Sequence, residues 1–333
     1  MIQFRNLDPM LQQMIIQKGS MPVGDFFFLV PAASATSQYR TWLNSLKVPQ
    51  SKMFTDLATA YAAMSANRGD VLYVMPGDHA VTAAVTWDKD QTVIQGLGGP
   101  NQRQQPSTLT SGGVRIKCVT ANIGSVFDIT ADYFSMFDIG TMNNYADTDN
   151  LTDIIVAGRN FYAERCAFRG GNTSTQTTSA TSGIPVTIDA GYAARFVNCQ
   201  IGQSGNATRT AGPGFVYFRG TGGAHGGIDF IGCDFQMRSE TNGAAACGFL
   251  VAENSLDRIT RFLNHCTFYN FSENWGALPD YMFNIDQTTT FDIYIDSTCG
   301  MYGFDIVSDN AHVKSIGAAP NSAAVESTAV ATS

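Results

Sequence analysis

Apolar and polar positions alternate with period two in a phrase that recurs along the chain. It reads VFDIT at 126–130, DIIVAG at 153–158, PVTIDA at 185–190, GFVYFRG at 214–220, GFLVAEN at 248–254, MFNIDQ at 282–287 and FDIVSD at 304–309. This alternation belongs to a strand with one buried face, and the Gly, Asn, Ser and Thr clusters between the phrases have turn composition. A second phrase, built on cysteine, interleaves with the first. Cys166, Cys199, Cys233, Cys266 and Cys299 stand 33, 34, 33 and 33 residues apart, and two residues after each comes an apolar one: Phe168, Ile201, Phe235, Phe268 and Met301. DYFSMFDIG, around Met136 to Ile139, reads as a degenerate first copy. A period of about 30–34 residues with two or three short strands and no convincing helix predicts a solenoid, one coil per repeat. A propeller blade would need about 40–45 residues and four strands. Stacked coils place equivalent residues about 4.8 Å apart, so the five cysteines become an internal ladder of small buried hydrophobes. Zinc would call for Cys or His paired at C-x-x-C spacing, which is missing. His265 and Cys266 are adjacent, and adjacent strand residues face opposite ways.

Helical spacing occurs before the coils. Phe54, Leu57, Ala58, Tyr61 and Met64 predict a helix over 51–66, with Ser51 as N-cap and a stop at Asn67–Gly69. Laid across the open end of the solenoid, it would cover apolar core and unpaired strand edges. The chain then divides into an N-terminal arm (1–22) anchored by Met10, Met14, Ile15 and Ile16, a strand, loop and capping helix (23–69), a parallel β-helix (70–318) and a C-terminal tail (319–333).

Composition narrows the class. Charged residues make up 14% of the 333 residues, against roughly 25% in an average globular protein, while the hydrophobic fraction is 44%. Neutral polar residues and glycine have replaced charge, as strands and turns require. The net charge of -8 speaks against a basic nucleic-acid binder. An aromatic content of 11% speaks against a disordered chain. No stretch approaches the 18 or so apolar residues of a membrane span, and the start has no signal-peptide pattern. Seven cysteines, an odd number, suggest free thiols made in a reducing compartment.

Two phrases carry a resemblance. Gly69-Asp70-Val71-Leu72-Tyr73-Val74-Met75-Pro76-Gly77 and Val93-Ile94-Gln95-Gly96-Leu97-Gly98 are similar to the opening of pectate-lyase-like right-handed parallel β-helix proteins, in particular those of tailed bacteriophages. The resemblance covers roughly residues 24–310. It implies an all-β, right-handed parallel β-helix of about eight coils with extended terminal arms. That scaffold hosts lyases, hydrolases, adhesins and passive virion parts.

The candidate chemistry is sparse. Glycoside hydrolysis needs two carboxylates about 5–9.5 Å apart across a sugar, and Glu164, Asp189, Asp229, Asp234, Asp286 and Asp296 are the acids placed to project from neighbouring coils. None forms an Asp-Asp pair in sequence. Arg115-Ile116-Lys117 and the glycine-rich segment around His225 match polygalacturonase-like phrases by chance, in reversed order. Asp147 and Asp149 sit in a polar turn without EF-hand spacing. Arg165, Arg195, Arg219 and Arg261 recur and could line one face. From this the chain is expected to be a virion structural protein, without enzymatic activity, cofactor or metal. It would be a capsid decoration (cement) protein made in the host cytoplasm, binding the outer shell through its arms. The major capsid protein or other virion proteins would be its partners and a homotrimer its assembly, with no contact to nucleic acid or membrane. The alternative is a tailspike or tail-fibre-like receptor-binding protein that recognises or cleaves host surface polysaccharide.

Overall fold

The computed structural model of the protein describes residues 24–32, 34–98, 113–171, 173–202, 207–220, 226–241, 245–252, 255–256, 259–271, 277–286, 291–308 and 311–316. The arm residues Met10, Met14, Ile15 and Ile16, His225 and the tail lie outside these.

The chain winds as a right-handed parallel β-helix. Among the described residues three sheets of eleven, eight and seven strands form the stack, here called sheets 1, 2 and 3. One coil visits them in turn, for example Tyr162–Glu164 in sheet 1, Ala167–Phe168 in sheet 2 and Ile184–Asp189 in sheet 3. Each strand pairs in parallel with its equivalents in the coils before and after, as in Phe196 with Ala163 and Phe230. The alternating phrases form sheet 3 through Phe283–Ile285. Of the last one, the described residues 304–308 make an isolated bridge, Ile306 to Tyr281.

A repeated local conformation turns the chain from sheet 1 to sheet 2. Asp138, Arg165, Asn198, Gly232 and His265 have φ of 56°, 51°, 50°, 61° and 62°, and each immediately precedes Ile139 or a ladder cysteine. Asp, Asn, His and Gly tolerate the left-handed region best. Arg165 is held there by its own side chain, whose Nε donates to Asp138 Oδ1 at 2.9 Å. The residue that follows each corner, Ile139 or a ladder cysteine, is buried. Cys166, Cys233 and Cys266 donate to the carbonyls of Met136, Phe196 and Phe230, each at 3.4 Å. Burial pushes the Cys199 and Cys233 thiols well above their ordinary value, which removes thiolate reactivity. Among the described residues no group of three His, Cys, Asp or Glu could hold a metal. Cys199→Ala is expected to destabilise the stack by about 1–2 kcal/mol through a small cavity, seen as a lower urea midpoint. Loss of bound zinc in the same variant would contradict the ladder.

Aromatic rings fill the interior. Phe196, Phe230 and Phe262 stack face to face across three coils, with centroids 4.9 Å apart at each step. Phe235 and Phe268 stack beside them at 5.0 Å.

The N-terminal end departs from the sequence expectation twice. The helix expected over 51–66 is shorter, α2 at Leu57–Ala63. Its N-cap is Asp56, whose carboxylate accepts Thr59 N–H at 2.7 Å; Ser51 instead lies in a 3-10 turn. Met53 and Phe54 pair with Phe28 and Leu29 at the edge of sheet 1, so tertiary pairing overrides their helical spacing. Leu57, Ala60 and Met64 still close the interior, and Lys89 Nζ donates to the terminal carbonyls of Tyr61 and Met64 at 2.6 and 2.8 Å. The segment expected as a loop contains another helix, α1 at Ser34–Ser45. Leu43, together with Leu46 and Val48 just beyond it, packs on Phe26, Phe28 and Tyr73, covering the outward face of strands that are apolar on both sides. The resemblance phrase has a structural cause at Asp70. This fully buried carboxylate accepts from Asp25 N, Ser65 N and the Arg68 guanidinium at 2.7–2.8 Å. It ties the first strand and the end of α2 to the first coil.

Candidate functional site

On the outer face of sheet 1 the register lines up Tyr162, Arg195, Asp229, Arg261, Tyr294 and Lys314, one from each of six successive strands. Strand spacing puts them about 4.8 Å apart along the axis. Asp229 is the centre of the line and only 4% exposed. Its Oδ1 accepts Arg261 Nε at 2.7 Å, and its Oδ2 accepts Arg261 Nη2 at 3.0 Å and Arg195 Nη2 at 3.3 Å. The bidentate Arg261 pair fixes both planes, and Arg195 and Arg261 remain 53% and 44% exposed. Both guanidiniums therefore keep N–H groups toward solvent.

The two ends of the line are built alike. Tyr162 OH donates to Glu164 at 2.9 Å, and Arg165 bridges Glu164 and Asp138. Burial, with help from Glu164, pushes the Tyr162 phenol up to about 12, so it stays a neutral donor. At the other end Tyr294 OH donates to Asp292 at 3.3 Å, and Lys314 Nζ pairs with Asp292 at 2.6 Å. Two register positions over, on the same face, Phe137, Glu164, Val197, Ile231 and Leu263 form a mostly apolar second line. The face thus sets fixed polar groups beside an apolar strip. A pyranose ring is matched to such a face, with hydroxyls around its edge and C–H groups on its flat side.

The six carboxylates singled out in the sequence do not converge. Glu164, Asp229 and Asp296 lie on sheet 1, but Asp296 is committed to a turn, where the Thr298 and Asn264 N–H groups hold its carboxyl below the ordinary range. Asp234 faces out from sheet 2 and accepts from Thr267 and Gln236. Asp189 faces out from sheet 3 and pairs with Arg219 at 2.7 Å. Asp286 is exposed just beyond a sheet 3 strand. Arg165, Arg195 and Arg261 share the sheet 1 side and Arg219 does not. Arg115 and Lys117 are both bound to Asp78. Sequence reasoning missed Tyr162, Tyr294, Asp292 and Lys314. Counting back from the cysteines would have found both tyrosines, because Tyr162, Arg195, Asp229, Arg261 and Tyr294 precede successive ladder cysteines by 4, 4, 4, 5 and 5 residues.

No protein-family model and no curated protein matches the chain. Solved structures do. A pectin methylesterase from Aspergillus niger aligns over 90% of this chain and 83% of its own, with 12% identity and a TM-score of 0.51. A rhamnogalacturonan lyase aligns over 85% and 69%, with 14% identity and a TM-score of 0.48. ORF18 of Geobacillus virus E2 aligns over 75% of this chain at 14% identity and a TM-score of 0.45, and this chain spans 55% of that one. These likenesses are of fold. They correct the expectation of a protein without enzymatic activity, which took the scaffold as passive: the pectin methylesterase that shares it is an enzyme, so enzymatic activity fits this fold. Among the described residues no helix is long and apolar enough to cross a membrane.

Proposed function

We propose that the outer face of sheet 1 binds an extended host-surface polysaccharide, and that the protein is a phage receptor-binding protein of the tailspike kind that recognises or cleaves it. The line Tyr162–Arg195–Asp229–Arg261–Tyr294–Lys314 carries this reading. It repeats polar, planar and cationic groups at the spacing of the coils, beside the apolar strip Val197–Ile231–Leu263. A repeating polymer lying along the axis would meet the same kind of group at each step. The phage assignment rests on the similarity of the two opening phrases to β-helix proteins of tailed phages. The capsid-decoration reading depended on the arm and tail, which lie outside the described residues, and it is not carried further.

For cleavage, Glu164, Asp229 and Asp292 are the carboxylates on the face that are not committed to a turn, as Asp296 is. Each is bound by a cation, so a sugar that opened one of these pairs would free a carboxylate base beside its own ring. The purified protein should bind one or a few members of a panel of capsular and lipopolysaccharide glycans. Arg261→Ala should weaken binding about 10–100-fold, the worth of charge-assisted hydrogen bonds. Tyr294→Ala, which leaves the Asp229 pairing intact, should weaken it several-fold. New reducing ends on incubation would mark cleavage. Full binding by both variants, or no glycan bound at all, would overturn the assignment.

A further inference from the structure

The last two rungs of the cysteine ladder differ from the others in what lies beyond them. Among the described residues strand Gly300–Tyr302 ends sheet 2, so the coil that carries Cys299 is stacked on one side only in that sheet. Cys266 and Cys299 hold equivalent places on successive coils. Gly300 N donates to Cys266 O at 2.9 Å, and Thr267 pairs with Gly300 one residue on. In-register parallel strands set such residues about 4.8 Å apart, inside the ~4.4–6.8 Å between Cα atoms that a disulfide spans. Both residues are buried, at most 1% exposed, and their thiols hydrogen-bond to each other.

In the closed stack the pair is inert. Hydrogen bonds between neighbouring thiols, together with burial, push the Cys266 thiol up to about 12 and the Cys299 thiol far above its ordinary value, so neither is a thiolate. Opening of the last coil changes that. Asn264 N donates to Asp296 Oδ2 at 3.2 Å and His265 N to Thr298 Oγ1 at 3.0 Å, and both bonds are exposed to water. Exposed hydrogen bonds and one-sided stacking belong to the part of a structure that opens most readily. Cys166, Cys199 and Cys233 have coils on both sides and lack this route.

We propose that Cys266 and Cys299 are a redox-operated staple, which a peroxide closes into a disulfide that fastens the last coil to the one before it. When the coil opens, one thiolate attacks a peroxide oxygen, the O–O bond breaks, and a sulfenic acid and water form. The second thiol attacks that sulfur, a second water leaves, and the S–S bond forms. Two thiols and one hydrogen peroxide thus become one disulfide and two waters. The bond closes a loop of 33 residues and restricts the unfolded chain over that length. A chain made in a reducing compartment would keep the staple open there and close it in oxidising surroundings. The device is independent of any glycan held by sheet 1.

Hydrogen peroxide in small excess is the probe. Native protein treated with it, alkylated in denaturant and digested should yield one main disulfide-linked peptide pair by mass spectrometry, Cys266 with Cys299. Two of the seven thiols should be lost. The Tm should rise by several degrees and return to its starting value with dithiothreitol. Cys299→Ser should show neither effect, and Cys166→Ser, at the far end of the ladder, should show both. The peptide map of the native protein decides the matter even where a variant fails to fold. Seven intact thiols after treatment, or a main linkage at another rung, would overturn the staple. An unchanged Tm in protein that carries the linkage would overturn its fastening role.

Discussion

Phe230→Ala should lower the stability of the β-helix by about 3–5 kcal/mol, the usual cost of emptying a buried phenylalanine site. Phe230 is fully buried between Phe196 and Phe262 and meets Phe235 edge-on at 5.4 Å. Removing its ring breaks two stacking contacts and one edge contact at once, each worth about 0.5–1.5 kcal/mol beyond area burial. The neighbours cannot close the gap, because parallel pairing fixes the distance between coils. Urea denaturation followed by circular dichroism measures the loss. Tyr217→Ala, on the outward side of sheet 3, is the control and should stay within about 0.5 kcal/mol of the native protein. A loss below about 1.5 kcal/mol at Phe230 would mean that the stack relaxes and that the packing argument fails.

Asp153→Asn should also destabilise, by about 1–3 kcal/mol, and should change how stability depends on pH. Asp153 is fully buried and accepts three backbone N–H groups and one hydroxyl. An asparagine turns an NH₂ toward some of those donors and leaves them unsatisfied. Burial raises the Asp153 carboxyl to about 6, above the ~3.9 of an unfolded chain. Between roughly pH 4 and 6 the folded state keeps a proton that the unfolded state has released. The contribution of this group is therefore fully present below about pH 4 and is lost as pH rises through 6. Urea midpoints measured from pH 4 to pH 7 should show this decline in the native protein and a flatter profile in Asp153→Asn. Parallel profiles would show that Asp153 ionises normally.

Most of the coil architecture could be read in advance because two independent periodicities agree. The cysteine phrase gave the length of a coil and the alternating phrase gave the position of sheet 3. The N-terminal end was harder. Tyr39, Trp42, Leu43 and Leu46 have helical spacing, but they lie in a segment rich in Ser and Thr. What makes α1 necessary is the outward face of Phe26 and Phe28, a need that appears only once those strands are in place. Met53 and Phe54 follow the pattern of α2 and are nonetheless drawn into sheet 1 by Phe28 and Leu29. The candidate site was only half legible for a related reason. A carboxylate's face depends on how many residues each corner absorbs, and the corner before Cys266 uses two left-handed residues, Asn264 and His265, where the one before Cys199 uses one, Asn198. Asp189, Asp229 and Asp234 look equivalent in sequence and end on three different sheets.

Because each strand pairs only with its counterparts in the adjoining coils, the line on sheet 1 behaves as a set of separable rungs. Exchanging Lys314, two coils beyond Arg261, leaves the Arg195–Asp229–Arg261 cluster untouched, and inserting a whole coil would lengthen the line without redrawing it. Such a surface can change its preference by single steps, each tried on an otherwise intact scaffold. In the proposed glycan-binding role, adaptation would then proceed rung by rung, and the fold would not have to be rebuilt.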